Sequence, residues 1–362
     1  MDQSTILLEP FRLGALTLKN RIVMAPLTRC RATHGSDAPN ALNAEYYAQR
    51  ASAGLIISEA TQISPTAKGY AWTPGIYSPA QVAGWRLVTD AVHRQGGAIY
   101  AQLWHVGRVS HVSLQPNGCD PVAPSALAAT GKQTYLETGE YAEVSMPRAL
   151  TLNEISGIVD DYRQAARYAM DAGFDGVEVH GANGYLIHQF LSSGSNVRDD
   201  IYGGDIENRM RFPLEVVHAV ISEIGADRVG IRLSPVSHAN GMTDDDPKTL
   251  YFPFVQALSA LHIAYIHLVE GETGGARDHQ GFDFHALRAV FNGAWMVNNG
   301  YTREMAIDSI ASGYADLVAF GKPFIANPDL VERFKQNANL NSADPSTFYG
   351  GGAKGYTDYL CV

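Results

Sequence analysis

Between Asn20 and Ala338, short β-branched runs alternate with amphipathic helical stretches about eight times, and this rhythm constrains the fold more than any other feature of the chain. The runs fall at 21–26, 55–58, 98–104, 177–180, 228–234, 265–269, 295–298 and 317–320. Helical stretches follow at 43–53, 80–95, 151–170, 211–224, 251–261, 284–291, 302–312 and 329–338. A strand followed by a crossover helix returns parallel to its predecessor, so the repeated unit builds a parallel sheet with helices outside it. Eight units in 362 residues fit an α/β fold of the (β/α)8 TIM-barrel type better than a doubly wound sheet, and no G-x-G-x-x-G or Walker loop is present. Local chemistry supports individual helices. Val82, Trp85, Val88 and Val92 share one face, while Thr151 with Glu154 three residues on makes a capping box and Gly173 stands beyond the same helix.

The rhythm breaks at 107–147, where Pro, Ser, Gly and Thr dominate (QPNGCDPVAPSALAATGKQTY) over a length too great for an ordinary connection. This excursion is expected to cap a site at one end of a single domain spanning 1–362. The 46% hydrophobic content is ample for a large core. A net charge of −10, a pI near 5.6 and scattered Lys and Arg give no footprint for nucleic acid or an anionic membrane, so small-molecule partners are expected. Cys30, Cys119 and Cys361 form no Cys-x-x-Cys pair, which favours a reducing compartment. The opening MDQSTILLEPFRLG has no basic segment leading into an apolar one, and no apolar run approaches the roughly 18 residues of a membrane helix. A soluble cytoplasmic protein is expected, as monomer or homodimer.

Working residues of such barrels lie at the C-terminal strand ends. Those positions hold Pro26, Leu27 and Thr28; Ala60; Gln102 and Trp104; His180, Asn183 and Tyr185; Arg232; Asn299 and Gly300; Gly321 and Lys322. In 176–190, GVEVHGANGYLIHQF, a strand ends in His180, Asn183 and Tyr185, so two N–H donors can converge on one ligand oxygen with a phenol nearby. Singly, each has a plainer reading as a satisfied core histidine, a turn residue before Gly184 and a wall residue. Together, at the rim of a barrel, they read as a site. Asn299-Gly300 and Gly321-Lys322 occupy the last two loops, where backbone N–H groups commonly meet a phosphate, although these glycines also suit plain turns. Arg232 inside a barrel requires an anionic or carbonyl partner. With Gln102 and Thr28 it suits the edge of a planar polar heterocycle bearing a phosphate. No metal site is read, since the histidines form no H-E-x-x-H pattern, and no Ser stands in G-x-S-x-G.

The segments KNRIVMAPLTR, EYYAQRASAGLIISEAT, QLWHVGR, GFDGVEVHGANGYLIHQFLS, YGGDIENR, FGKPFIANPDL and FYGGGAKGYTDY cover nearly the whole chain in order. In them the chain resembles the old yellow enzyme family of FMN-dependent ene-reductases, in its bacterial N-ethylmaleimide, pentaerythritol tetranitrate and morphinone reductase branch. The resemblance implies tight, non-covalent FMN, with NADPH or NADH as hydride source. It implies activated alkenes as substrates, with nitro compounds and nitrate esters as further acceptors. It places Thr28 at the flavin carbonyl near N5, Gln102 and Arg232 at the pyrimidine edge, and Gly300, Gly321 and Lys322 at the phosphate. Pro26, Leu27, Ala60, His180 and Asn299 complete the cofactor set. His180 and Asn183 would grip the substrate oxygen, Tyr185 would protonate the α carbon, and Tyr70, Trp104 and Tyr356 would line the substrate pocket.

Some positions depart from the family pattern. Lys322 stands where arginine is usual, exchanging a planar fork for a point charge. Asn183 matches yeast and plant members, whereas several bacterial relatives carry histidine, and Asp199 replaces the more usual threonine. Thr28 and Trp104 argue against the thermophilic-like branch. Two other readings stay open from sequence. One is a phosphate-binding barrel lyase or isomerase, which would need a lysine or carboxylate base inside the barrel; the other is a flavin-binding redox sensor without turnover.

Overall fold

The computed structural model describes residues 3–362. Eight parallel strands close into a barrel, β1 Ile22–Met24, β2 Leu55–Gln62, β3 Ile99–Trp104, β4 Gly176–Gly181, β5 Val229–Leu233, β6 Tyr265–Val269, β7 Ala294–Asn298 and β8 Leu317–Phe320. Each pairs with the next, and β8 returns to β1 through Val318↔Ile22. The helices are α1 Ala41–Gln49, α2 Pro79–Arg94, α3 Leu152–Asp171, α4 Leu186–Leu191, α5 Ile206–Ile224, α6 Pro247–Ala260, α7 Phe284–Ala289, α8 Arg303–Ala311, α9 Lys322–Ala326 and α10 Leu330–Gln336. This is the (β/α)8 barrel that the alternation implies. Among the described residues no helix is long and apolar enough to cross a membrane.

Period-2 side-chain alternation divides the core in two. On β4, Val177 and Val179 face outward into the layer between strands and helices, alongside Trp85, Ile155 and Val216. A second apolar cluster fills the barrel itself, with Val23, Leu55, Tyr100, Tyr265, Met296 and Leu317. The antiparallel hairpin of Phe11–Leu13 and Leu16–Leu18 adds Leu13 and Leu18 to this inner cluster. Its turn meets the residues before β5, Ala15 N–H donating to the Asp227 carbonyl, so it closes the N-terminal end of the barrel. Up the barrel the inward residues become polar: Gln102, Glu178, His180, Arg232 and His267, all buried.

Two glycines make room for the inner rings. A Cβ on Gly176 would stand 2.4 Å from the Tyr100 ring, and one on Gly230 would stand 2.2 Å from the Tyr265 ring. Gly230→Ala is therefore expected to destabilise the protein by about 1–3 kcal/mol through overpacking, lowering the thermal midpoint by several degrees in a circular dichroism melt. An unchanged midpoint would contradict this packing.

Helix caps follow the local chemistry. Thr151 and Glu154 form the reciprocal capping box before α3, with Thr151 N–H donating to Glu154 at 2.9 Å. The start of α5 differs from the sequence reading, which placed it at 211 with Pro213 in the first turn. The helix begins five residues earlier, at Ile206, capped by Asp205, and Pro213 sits inside it. Its missing N–H costs one rung of the ladder, outweighed by the cap and by burial of Met210, Phe212, Val216 and Val217 on one face.

Within 107–147 the chain forms an antiparallel hairpin, Gln133–Tyr135 with Tyr141–Glu143, and Val122–Ala123, which pairs in parallel with Arg148–Ala149 just beyond it. Lys68 ties this hairpin to the barrel, donating to Asp37 at 2.9 Å and to Glu137 at 2.7 Å.

Candidate active site

A cavity of about 600 Å³ opens at the C-terminal ends of the strands, a size that suits a cofactor or drug-sized ligand. Pro26, Leu27 and Thr28 line it from β1, Arg232 from β5, Asn299 and Gly300 from β7, and Gly321 and Lys322 from β8, with Tyr70, Asn183 and Tyr185 also in the wall. His180, Trp104 and Ala60 stand one layer behind. Ala60 and Trp104 pack with Tyr70 and Tyr185, and the His180 ring lies 6.4 Å from Trp104 and 5.0 Å from Tyr185. Gln102 is likewise buried beneath the floor.

Tyr356 does not line the substrate wall that the resemblance implies: it is fully buried and stacked on Tyr46 at 4.0 Å, with its hydroxyl accepting from Asn43 Nδ2 and the Arg31 guanidinium 4.4 Å over its ring. Arg31, with Arg29 5.0 Å over the same ring, and the stacked Tyr46 hold it inward. Tyr349 and Phe348 of the same FYGG segment line the cavity instead.

The loop after β4 is shaped to present donors. Asn183 adopts φ 59°, a left-handed conformation that Asn tolerates, and Gly184 follows at φ 78° with the Ala239 carbonyl 2.5 Å from where a Cβ would be. Asn183 N–H donates to Ser234 Oγ at 2.8 Å, and its side-chain oxygen accepts from Thr273 Oγ1 at 2.8 Å. With that oxygen engaged, the amide nitrogen is the group left to offer a ligand. Thr273 belongs to the glycine-rich loop after β6, and the sequence reading passed over it although Thr273-Gly274-Gly275 is itself a turn signal.

His180 Nδ1 accepts from the Ala182 N–H at 3.3 Å, which places the ring proton on Nε2 as a donor. Burial, reinforced by the charge of Arg232, holds this imidazole well below its ordinary range, so it stays neutral. Tyr185 hydroxyl lies 3.3 Å from that of Tyr70, and burial pushes the Tyr185 phenol up, so it keeps its proton. The Asn183 side chain and the protonated Tyr185 phenol therefore line the cavity together, with the neutral His180 ring packed behind Tyr185 at 5.0 Å.

At its other end, the Asn299 side chain is occupied, donating to the carbonyls of Glu270 at 2.6 Å and Glu272 at 2.9 Å. This sets the β7 loop, where Gly300 at φ 67° has only the Arg277 side chain within 4 Å of a would-be Cβ. Gly321, the residue after β8, lines the same cavity. On the floor, Arg232 Nη2 donates to Asn298 Oδ1 at 2.9 Å, while its Nε–H is buried without a partner. A buried, unpaired guanidinium N–H beside a cavity calls for an acceptor on a ligand. The hairpin of the excursion brings Tyr135 and Tyr141 to the mouth, two more rings that the sequence reading did not place there. The alternation in QTYLETGEYAE around Gly139 is the signal that could have shown the hairpin.

On β2, Glu59 is buried, accepting from Arg29 N–H at 3.2 Å and from the Tyr47 hydroxyl at 3.3 Å. Burial pushes its carboxyl up from 4.5 to about 7. Between those values the folded protein keeps a proton that the unfolded chain has lost. Stability is thus fully present below about 4.5 and declines as pH rises through about 7, by roughly 3 kcal/mol. Urea unfolding at a series of pH values is expected to show a smaller decline for Glu59→Gln than for the native sequence; parallel curves would contradict the shift.

The NADH:flavin oxidoreductase / NADH oxidase family model matches residues 6–341. Morphinone reductase in complex with tetrahydroNAD superposes with a TM-score of 0.93 at 52% identity, covering 98% of this chain and 97% of that one. The old yellow enzyme homologue from Zymomonas mobilis gives 0.94 at 46% identity, covering 98% and 99%. 12-Oxophytodienoate reductase 1 of Oryza sativa subsp. japonica is 48% identical over 358 residues, covering 98% of this chain and 92% of the relative.

Proposed function

Because the chain belongs to the NADH:flavin oxidoreductase / NADH oxidase family, and within it to the old yellow enzymes, an FMN-dependent and NAD(P)H-dependent group, we propose that it is an ene-reductase acting on α,β-unsaturated carbonyl and nitro compounds. The residues present fit FMN. Arg232 offers an unpaired buried N–H, Gln102 turns an unengaged amide oxygen from beneath the floor, and the cavity accepts a flat ring with a phosphate at the Gly300 and Gly321 end. Pro26, Leu27, Thr28 and Ala60 would flank the ring, with Asn299 and Lys322 beside the phosphate. The chemistry FMN supplies when bound is hydride transfer, from NADPH or NADH to the flavin and from flavin N5 to the β carbon of the alkene.

The observation that supports the reading is a Tyr185 phenol that holds its proton lining the cavity beside Asn183, with the neutral His180 ring 5.0 Å from that tyrosine, so that His180 Nε2–H and the Asn183 amide would be the two donors. The two donors bind the carbonyl or nitro oxygen and stabilise the negative charge that grows on it, each worth about 3 kcal/mol in preorganised sites. Tyr185 then gives its proton to the α carbon. Tyr70, Trp104 and Tyr349 bound the space the alkene takes; nitrate esters present the same kind of oxygen to the donor pair.

Isotope placement tests this. Reduction of 2-cyclohexenone with nicotinamide deuterated at C4 is expected to put deuterium on the β carbon, and reduction in D2O to put it on the α carbon from the opposite face. No turnover, or label at neither carbon, would contradict the proposal.

A further inference from the structure

Beneath the cavity floor lies a carboxylate that the chemistry above does not use. Glu178 is fully buried on the inner face of β4, and three donors converge on it: Gln102 Nε2 at 2.8 Å, His267 Nδ1 at 2.9 Å and the Tyr265 hydroxyl at 3.1 Å. An ionised carboxylate is an acceptor only, and a ring of donors is what makes its burial tolerable. The strand register puts it in the layer below the ligand, Glu178 pairing with Gln102 on β3 and with Gly230 on β5, two residues before Arg232.

Glu178 acts on two of the groups that reach the ligand. A carboxylate beside the Gln102 amide must receive its NH2, so Gln102 Oε1 points away from Glu178, and no described residue donates to it. The charge of Glu178 also acts on the Arg232 guanidinium, favouring its protonated form against the opposing effect of burial. A flavin's pyrimidine edge carries an N–H between two carbonyls, which is the complement of one amide oxygen and one guanidinium.

We propose that Glu178 is a positioning residue for bound FMN. It holds the Gln102 amide with its oxygen toward the pyrimidine N–H, and it offsets part of the Arg232 charge, so that the ease of flavin reduction is set from below the floor. This rests on the FMN reading above.

The test uses the flavin-loaded protein, the native sequence beside Glu178→Gln and Glu178→Asp, with two readouts. One is the two-electron midpoint potential; the other is FMN released on dilution, read from free-flavin fluorescence. Glu178→Gln removes the anion but can still accept from Gln102. It is expected to shift the equilibrium on the order of tenfold toward reduced flavin, a rise of about 30 mV, with FMN release within about threefold of native. Glu178→Asp keeps the charge but draws it back by one methylene from Gln102. Its potential is expected to stay within about twofold in the equilibrium, while FMN release rises on the order of tenfold. If Glu178→Gln does not fold, the Glu178→Asp release decides. Native protein that holds FMN, with both variants matching it in both readouts, would overturn the role of Glu178 alone. Native protein that holds no flavin would overturn the FMN reading beneath it.

Discussion

Tyr185→Phe is expected to slow reduction of 2-cyclohexenone by the reduced enzyme about 10²–10⁴-fold while leaving flavin reduction by NAD(P)H unchanged, the loss that follows from removing a positioned general acid. Burial holds the proton on the Tyr185 phenol, and likewise on Tyr70, whose hydroxyl lies 3.3 Å away and whose ring stacks on Trp104 at 5.7 Å. Anaerobic stopped-flow separates the two half-reactions. Nitroalkenes make a control within the same experiment, since a nitronate released from the site takes its proton from water, and their reduction is expected to change only about threefold. An undiminished enone rate would remove Tyr185 from the proton-donor role.

The second large effect is expected at His180. Replacement by Ala removes one of two N–H donors from the developing oxyanion, at a cost of about 10²–10³ in kcat/KM for enones. It should also weaken phenol ligands, whose oxygen takes the place of the substrate carbonyl, by a comparable factor in a spectral titration. His180→Asn, which keeps an N–H, should recover part of both. The direction follows from the tautomer, because the Ala182 N–H occupies Nδ1 and leaves Nε2–H for the ligand. Phenol affinity unchanged in His180→Ala would contradict the oxygen grip.

The barrel was legible because its strands are short, apolar on their outer faces and bounded by turn residues. The reading of 265–269 and 317–320 coincides with Tyr265–Val269 and Leu317–Phe320. Where a helix begins was less legible. Pro213 favours a first turn locally, and it competes with the Asp205 cap that starts α5 at Ile206. The N-terminal hairpin escaped because three-residue strands around Gly14 carry little periodicity, and their partner is the far end of the barrel.

For the site, the sequence brought His180, Asn183 and Tyr185 into view as a cluster, since they lie within six residues. What it could not give was depth. FYGGGAKGYTDY offers several tyrosines, and the side of the chain on which Arg31 and Tyr46 lie decides that Tyr356 turns inward while Tyr349 meets the cavity. Thr273 is ninety residues from the Asn183 it orients. Glu178 looked like one polar residue between two valines; the register that sets it against Gln102, with His267 and Tyr265 closing around it, exists only once the barrel closes.

The most direct test of the whole account is the visible spectrum of the purified protein under anaerobic conditions, recorded as isolated, after NADPH or NADH, and again after 2-cyclohexenone. The expected record is a yellow flavin band that bleaches with the nicotinamide and returns with the enone. A colourless protein that takes up no FMN, or a band that bleaches and does not return, would contradict an FMN-dependent ene-reductase.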